Sequence, residues 1–469
     1  MAETDILGDM RRRIALTLLL FAGAGATDEG PKFDSLKEAQ ATVLQDRAKI
    51  LQRLEEERLL VPEAFLAAEE KRHEARRAWR DDRYDEARAA YRKAWKLYPL
   101  SLGRAQQEYT ALTALREKRP PDPRLSGFRE KRAVHSALEW LARHQDSLGR
   151  WDCAGFMKHD PKDDRCDGAG NKAYDVGVTA LVVLAFLEAG FTDRDNHYAL
   201  EVYKGLQWLR TQQDEQGMFG GGKPSAWVYY IYNHTAATLA LAKACSLTKD
   251  ERFKPSLQRA LDYILRARAP NKGWRYAPDD VEADTSATTW CYRALVAGQE
   301  VGIELELDAA AAGSRAWLES MTLTDGRIGY MEPGRINRYQ EEKRRFAEDR
   351  SRAMTAAGTV LRLLLDGKKH DKKLVQKSLD RCLERPPTWN PDDGSIDMYY
   401  WYYGTLACLV DKKRARKWKK PLHQALLKNQ HAPGSGARAG SWDPVGVWGA
   451  EGGRVYATAI LALALLHAG

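Results

Sequence analysis

The chain is poor in features that would staple, anchor or arm a protein in a familiar way. Six cysteines in 469 residues are too few for a disulfide scaffold. No Walker A pattern, no His-Glu-x-x-His and no Gly-x-Ser-x-Gly occurs, so the P-loop, zincin and α/β-hydrolase readings have no support. The glycine-rich stretch "GMFGGGKPS", 217–225, follows no strand and reads as a loop. Beyond residue 26 no stretch is long and uncharged enough to cross a bilayer, so no transmembrane span is expected in the mature chain. From residue 128 onwards there is no strand pattern of weight. No motif asks for a cofactor, and none is assigned.

The chain does have ample core material and modest basicity. Hydrophobic residues make up 44% and charged residues 30%, ordinary for a soluble fold. The net charge of +9 permits an anionic partner without requiring one. The densest basic run, "KKRARKWKK" at 412–420, reads as a solvated loop and the start of an outer helix, and nucleic acid is not an expected partner. Near the N-terminus, Met10 to Ala26 reads "MRRRIALTLLLFAGAGA": three arginines, a short apolar run and a small-residue site. That is the layout of a secretory signal peptide. Export to the periplasm or beyond is expected, with an N-terminal membrane anchor as the alternative.

Four cysteines, 245, 291, 382 and 408, fall in helical segments and read as small core residues. Cys153 and Cys166 bracket the loop "CAGFMKHDPKDDRC", and in an exported chain a disulfide closing it is the expectation. His159, Asp160, Asp163, Asp164 and the adjacent Asp167 leave a metal site open in the same place. Their spacing matches no familiar ligand pattern, and no metal is assigned.

Residues 31–118 are charged and helix-favouring. Tyr84, Ala87, Tyr91, Ala94 and Pro99 stand where the second half of one tetratricopeptide repeat carries its small, aromatic and closing residues, so this arm resembles such a hairpin. Lys71 and Glu74 depart from the pattern of its first half. One hairpin cannot bury its own face, so packing on the helix near 36–60 or on the next domain is expected. A protein partner docking on the arm is a further expectation. The Pro/Gly stretch "KRPPDPRLSG", 118–127, marks the boundary.

After it, apolar residues recur at helical spacing in twelve segments that come in pairs. The first member of each pair ends at an aromatic residue near a turn: Trp151, Phe219, Trp274, Tyr330, Trp389 and Trp442, at intervals of 68, 55, 56, 59 and 53 residues. The second members read Asp175-VGV-Thr179, Asn233-HTA-Ala237, Asp284-TSA-Thr288, Ser351-RAM-Thr355, Asp397-MYY-Trp401 and Arg454-VYA-Thr458 from a common start. Asp, Asn and Ser there are good N-caps. The residues after each cap are nearly all apolar, as in "VTALVVLAFLEAG", which marks a helix buried on every side. Six such helices alternating with six amphipathic ones predict an all-α (α/α)6 toroid over 128–469, with some of the rings of Tyr399–Tyr403 lining its centre.

The turn Gln-x-x-x-Gly-x-Trp/Phe, intact at Gln145–Trp151 and Gln213–Phe219, resembles the repeat of squalene and hopene cyclases and of protein prenyltransferase β subunits. "FMKHDPKDDRCDG", "YDVGVTALVVLAFLEAG" and "DMYYWYYGTLA" resemble a set of exported bacterial prenyltransferase/squalene oxidase repeat proteins. The likeness implies a terpenoid-cyclase-type toroid. Those cyclases protonate substrate with the middle Asp of Asp-x-Asp-Asp, where "VEADTSA", 281–287, has Ala283, so the acid is missing and Asp284 reads as an N-cap. Prenyltransferases hold zinc through Asp, Cys and His. Here Cys291 lies seven residues after Asp284, rather than at that family's close spacing, and His234 reads as a hydrogen-bonded pocket residue.

Helix starts on one rim would gather Asp175, Asn233, His234, Asp284, Asp397, Tyr399, Tyr400 and Arg454 at a mouth, with Trp401 and Tyr403 lining below. Helix dipoles would favour an anion there. His234, Asp284, Tyr399 and Arg454 are the catalytic candidates. Asn, His, Tyr and Arg together resemble the toolkit of toroidal polysaccharide lyases. Three functions are open: a binding protein whose aromatic pocket takes an apolar isoprenoid or a sugar, an isoprenoid-acting enzyme, or a lyase on acidic polysaccharide.

Overall fold

The computed structural model describes residues 33–117, 129–194, 197–220, 227–270, 272–278, 280–336 and 350–469. The expected signal peptide, 10–26, and the boundary stretch, 118–127, lie outside the described residues. The chain forms two compact units, divided between Ala114 and Leu115.

The first unit holds helices α1 (Leu36–Glu56), α2 (Glu63–Arg80) and α3 (Tyr84–Leu97), and most of α4 (Leu100–Glu117). α2 and α3 form the hairpin, and α1 lies on α3, burying Val43, Ile50 and Leu54. Ala87, Tyr91 and Ala94 are buried, whereas Tyr84 is 49% exposed. In the same unit Glu69, only 3% exposed, accepts from Arg47 Nε at 3.0 Å, from Arg72 Nη2 at 3.1 Å and from the Tyr98 hydroxyl. Burial raises its pKa, but Arg72 and Arg47 outweigh burial and bring it down to about 2.

The second unit is a double ring of twelve helices among the described residues. The outer ones are α5 (Arg129–Arg143), α7 (Ala199–Thr211), α9 (Lys254–Arg266), α11 (Asp308–Met321), α13 (Lys372–Leu383) and α15 (Lys412–Asn429). The inner ones are α6 (Asp175–Glu188), α8 (Trp227–Thr248), α10 (Thr285–Glu300), α12 (Ala353–Asp366), α14 (Met398–Cys408) and α16 (Gly449–Ala468). Each inner helix packs on the next, and α16 packs back on α6, so the ring is closed. Each outer helix bridges two successive inner ones. Every residue of α6 from Asp175 to Leu187 is buried, which is what an apolar sequence on all sides requires. α16 alone among the described helices is long and apolar enough to cross a membrane, and it is an inner wall of the ring. The basic run 412–420 is the start of outer helix α15, pinned by Trp418, whose indole donates to Thr405 Oγ1 at 2.9 Å.

A repeated clasp joins five of the six outer helices to the next inner one. The main-chain N–H of Trp151 donates to Thr179 Oγ1 at 3.0 Å, that of Trp274 to Thr288 Oγ1 at 3.0 Å, that of Ile328 to Thr355 Oγ1 at 3.1 Å and that of Trp442 to Thr458 Oγ1 at 3.4 Å. The Gln of the turn donates across to the next outer helix: Gln145 Nε2 to Glu201 O at 2.9 Å, and Gln213 Nε2 to Ser256 O at 2.9 Å. Gly149 and Gly217, at φ 104° and 96°, press against that helix too. A Cβ on either would stand 2.1 Å from Lys204 O or 2.2 Å from Arg259 O.

Two details of the repeat differ from expectation. In the second repeat the clasp is made by His234, whose Nδ1 accepts from Phe219 N at 3.0 Å. The helix therefore starts earlier, at Trp227, and Asn233 lies inside it rather than at its cap. In the fourth repeat Ile328, not Tyr330, occupies the turn position. Arg454 does begin the straight part of α16, because Gly453, at φ 67°, kinks the chain just before it.

Candidate functional site

A pocket of about 110 Å³ sits inside the ring toward the N-terminal ends of the inner helices. Five of the six inner helices and their lead-ins build it: Tyr174, Gly177, Val178 and Leu181, then Tyr232, Asn233 and Ala236, then Ser286 and Trp290, then Tyr399, and finally Trp448, Glu451, Gly452, Tyr456 and Ile460. α12 contributes no lining residue. Six of these side chains are aromatic, four of them tyrosines.

A row of hydroxyls runs along one wall. Tyr232 donates to Ser286 Oγ at 3.2 Å, and Ser286 shares a hydrogen bond of 2.8 Å with the Tyr399 hydroxyl. Below it the Tyr399 ring lies 4.8 Å from that of Tyr403. Tyr403 and Tyr402 accept from the Arg293 guanidinium at 3.2 and 3.0 Å, and that group stands 5.3–5.5 Å from the ring centroids of Trp290, Tyr402 and Tyr403. Ring faces attract a cation in this geometry. Burial opposes the charge, yet the two tyrosine oxygens outweigh it and raise the Arg293 pKa. Past Arg293 lies a second cavity, about 250 Å³, where Lys243 pairs with Glu188 at 2.8 Å.

Asn233 fixes the wall between two inner helices. Its Oδ1 accepts from Gly177 N at 2.8 Å and its Nδ2 donates to Ala173 O at 2.7 Å. No side chain fits at Gly177, where a Cβ would lie 2.7 Å from that Oδ1.

Of the expected site residues, Asn233 and Tyr399 line this pocket and the others do not. His234 is fully buried between Phe219 N and Ala260 O, with Nε2 donating to the latter at 3.1 Å. Burial lowers its pKa to about 4, so it is a neutral clasp and not a base in the pocket. Arg454, 1% exposed, is tied to Asp167, to Asp443 at 2.7 Å and to Ser441 at 3.1 Å. Asp284 caps α10 through Ala287 N at 2.7 Å. Asp397 caps α14 through Tyr400 N at 3.0 Å and accepts from Ser351 Oγ at 2.8 Å. Asp175 accepts from Cys153 N at 2.9 Å. Tyr400 points outward and donates to Cys382 O at 2.7 Å, and Trp401 lies against Trp389, their centroids 6.0 Å apart. Tyr403 belongs to the Arg293 cluster. Helical rotation thus sends the five consecutive rings to different neighbours.

The expected Cys153–Cys166 disulfide is replaced by two buried free thiols. The backbone holds them at different carboxylates: Cys153 N donates to Asp175, and Cys166 N donates to Asp160 Oδ2 at 2.9 Å. Of the loop's other polar residues, His159 binds Asp146 at 2.8 Å and Asp164 caps Ala437 N at 2.7 Å. Spacing missed Trp290, Trp448, Glu451, Tyr456 and Arg293, because nothing in the linear pattern says which face of an all-apolar helix turns inward.

No family model and no curated protein matches the chain. Among solved structures, an inactive variant of the GH76A α-1,6-mannanase of Salegentibacter sp. HEL1_6 in complex with α-1,6-mannotriose aligns at 13% identity, covering 72% of this chain and 98% of that one, with a TM-score of 0.49. The structure of the GH76A enzyme aligns at 11% identity over 72% of this chain and 98% of that one, with a TM-score of 0.49. These findings correct the expected membership among squalene-cyclase-like and prenyltransferase/squalene oxidase repeat proteins: the neighbours are mannanases, and no model of that family matches.

Proposed function

We propose that the central pocket binds one sugar residue of a glycan, and that the protein holds its ligand rather than cleaving it. The observation that carries this is the wall: six aromatic rings around a row of tyrosine and serine hydroxyls, with Asn233 and Glu451 beside them. A pyranose has the matching character. Its C–H faces lie against ring faces, and its hydroxyl edge pairs with phenol, amide and carboxylate oxygens. An exported location, expected from residues 10–26, suits a glycan ligand.

Binding is favoured over cleavage by what the wall contains. Glu451 is the one carboxylate lining it among the described residues, whereas glycosidic hydrolysis uses a pair flanking the bond. Elimination from a uronate needs a base and a neutralising group at one place. His234 and Arg454, the candidates for those roles, are both engaged elsewhere.

The test is a titration of the full chain with neutral and acidic oligosaccharides, read by tryptophan fluorescence and calorimetry. Saturable binding is expected, weakened at least tenfold, about 1.4 kcal/mol, by Trp290→Ala and by Tyr399→Ala. Binding that survives both substitutions, or none across the panel, overturns the proposal. New reducing ends or unsaturated products would overturn its second half.

A further inference from the structure

We infer that His144, Asp160 and Cys166 form a zinc site that fastens the loop joining the first hairpin to the last. Their ligating atoms lie within 4.8 Å of one another, and a modest opening of the 2.7 Å His144–Asp160 pair reaches the roughly 3.3–3.8 Å separations that tetrahedral zinc imposes at bond lengths near 2.0–2.3 Å. Nitrogen, carboxylate oxygen and thiolate together are a donor set suited to this borderline-soft ion. The side chains of His144 and Asp160 are each 2% exposed, and Cys166 is 6% exposed.

The imidazole geometry is a second and independent observation. His144 Nδ1 donates to the Trp140 carbonyl at 2.6 Å, and the Trp140 ring stacks on it at 4.0 Å. On the other side of the ring, Nε2 meets an Asp160 oxygen at 2.7 Å. At that distance a proton joins the two, and a metal ion would take its place. A backbone carbonyl on the far nitrogen is the usual support of a metal-bound histidine. Asp160 Oδ2 is already held by Cys166 N, which leaves Oδ1 for the ion. Binding would take the Nε2 lone pair, Oδ1 and the Cys166 thiolate, release the proton shared by His144 and Asp160 together with the thiol proton to solvent, and leave a fourth position for water. Residues 161–165 above the site are all exposed, which gives the ion a way in.

The position explains what the ion would do. Downstream of Cys166 the loop is bonded to the last repeat: Arg454 N donates to Gly168 O at 2.8 Å and Asn171 N to Glu451 O at 2.7 Å. Fastening Cys166 to the end of α5 therefore tightens ring closure.

The experiment uses the full chain, stripped with chelator and reloaded with Zn²⁺ or Co²⁺. About one equivalent should survive gel filtration, Co²⁺ should show a thiolate-to-metal charge-transfer band, and Tm should rise on loading. Cys166→Ser should abolish the band, whereas Cys153→Ser should keep it. The inference falls if the wild-type chain retains no more metal than the stripped control, if Cys166→Ser keeps the band, or if mass analysis of the protein as isolated finds Cys153 and Cys166 joined.

Discussion

Asp284 shows what full burial does to a single carboxyl. Desolvation pushes its pKa up to about 7, against the smaller opposing effects of the Ala287 amide, Arg275 and Tyr330. The folded state therefore keeps a proton that the unfolded chain releases near pH 4, so stability declines as pH rises from about 4 to about 7 and is flat beyond. Asp284→Asn keeps the cap and removes the charge. It should stabilise the toroid by roughly 2 kcal/mol at pH 8 and by little at pH 4, measured by denaturant unfolding. Glu69 behaves in the opposite sense. Its pKa is held near 2 by Arg72 and Arg47, so its contribution is complete above the ordinary glutamate range and fades as pH falls from there toward 2. Glu69→Gln removes the carboxylate charge that Arg72, 8% exposed, and Arg47 both face. A loss of about 3–5 kcal/mol is expected in the arm, visible as an earlier melting transition.

At the level of elements the clasp is the unit that repeats, and His234 is its variant. Threonine fills the same place at 179, 288, 355 and 458. His234→Thr should fold and leave the proposed sugar binding unchanged, at a cost of about 1–3 kcal/mol at pH 7 for the lost bond and volume. A neutral buried histidine loses stability as pH drops from about 6.5 toward 4. The gap between variant and wild type should therefore narrow at pH 5 in paired unfolding curves. Gly217→Ala, with its Cβ driven onto Arg259 O, should cost several kcal/mol and lower Tm sharply. The ring of hairpins was legible in the sequence because burial on every side is a property of composition alone. The pocket was less so. A common register of helix starts puts Asn233 at a cap because asparagine is a good one, whereas α8 begins six residues earlier and the histidine beside it holds the turn. Polar residues at helix starts, Asp284, Asp397 and Arg454 among them, are the ring's fastenings. The lining comes from aromatic residues whose rotation about each axis is set only by neighbouring helices.

For the whole molecule, closure rests on contacts between its first and last hairpins. Trp140 Nε1 donates to Ala437 O at 2.8 Å, and Arg454 reaches Asp167 across the same seam. Arg454→Leu removes that link and leaves the acidic partners half-exposed to water. A loss of about 3 kcal/mol is expected, with faster amide exchange confined to residues near 168–171 and 449–454. The Trp140–Ala437 bond spans 297 positions of sequence. At about 5–20 residues per second, the ribosome needs about 15–60 s between delivering one partner and the other. Through that interval the earliest hairpin has no neighbour on one side, and the oily flank of α6 stays uncovered. Until Gly449–Ala468 is delivered, the ring must therefore remain unfinished or be shielded by another molecule.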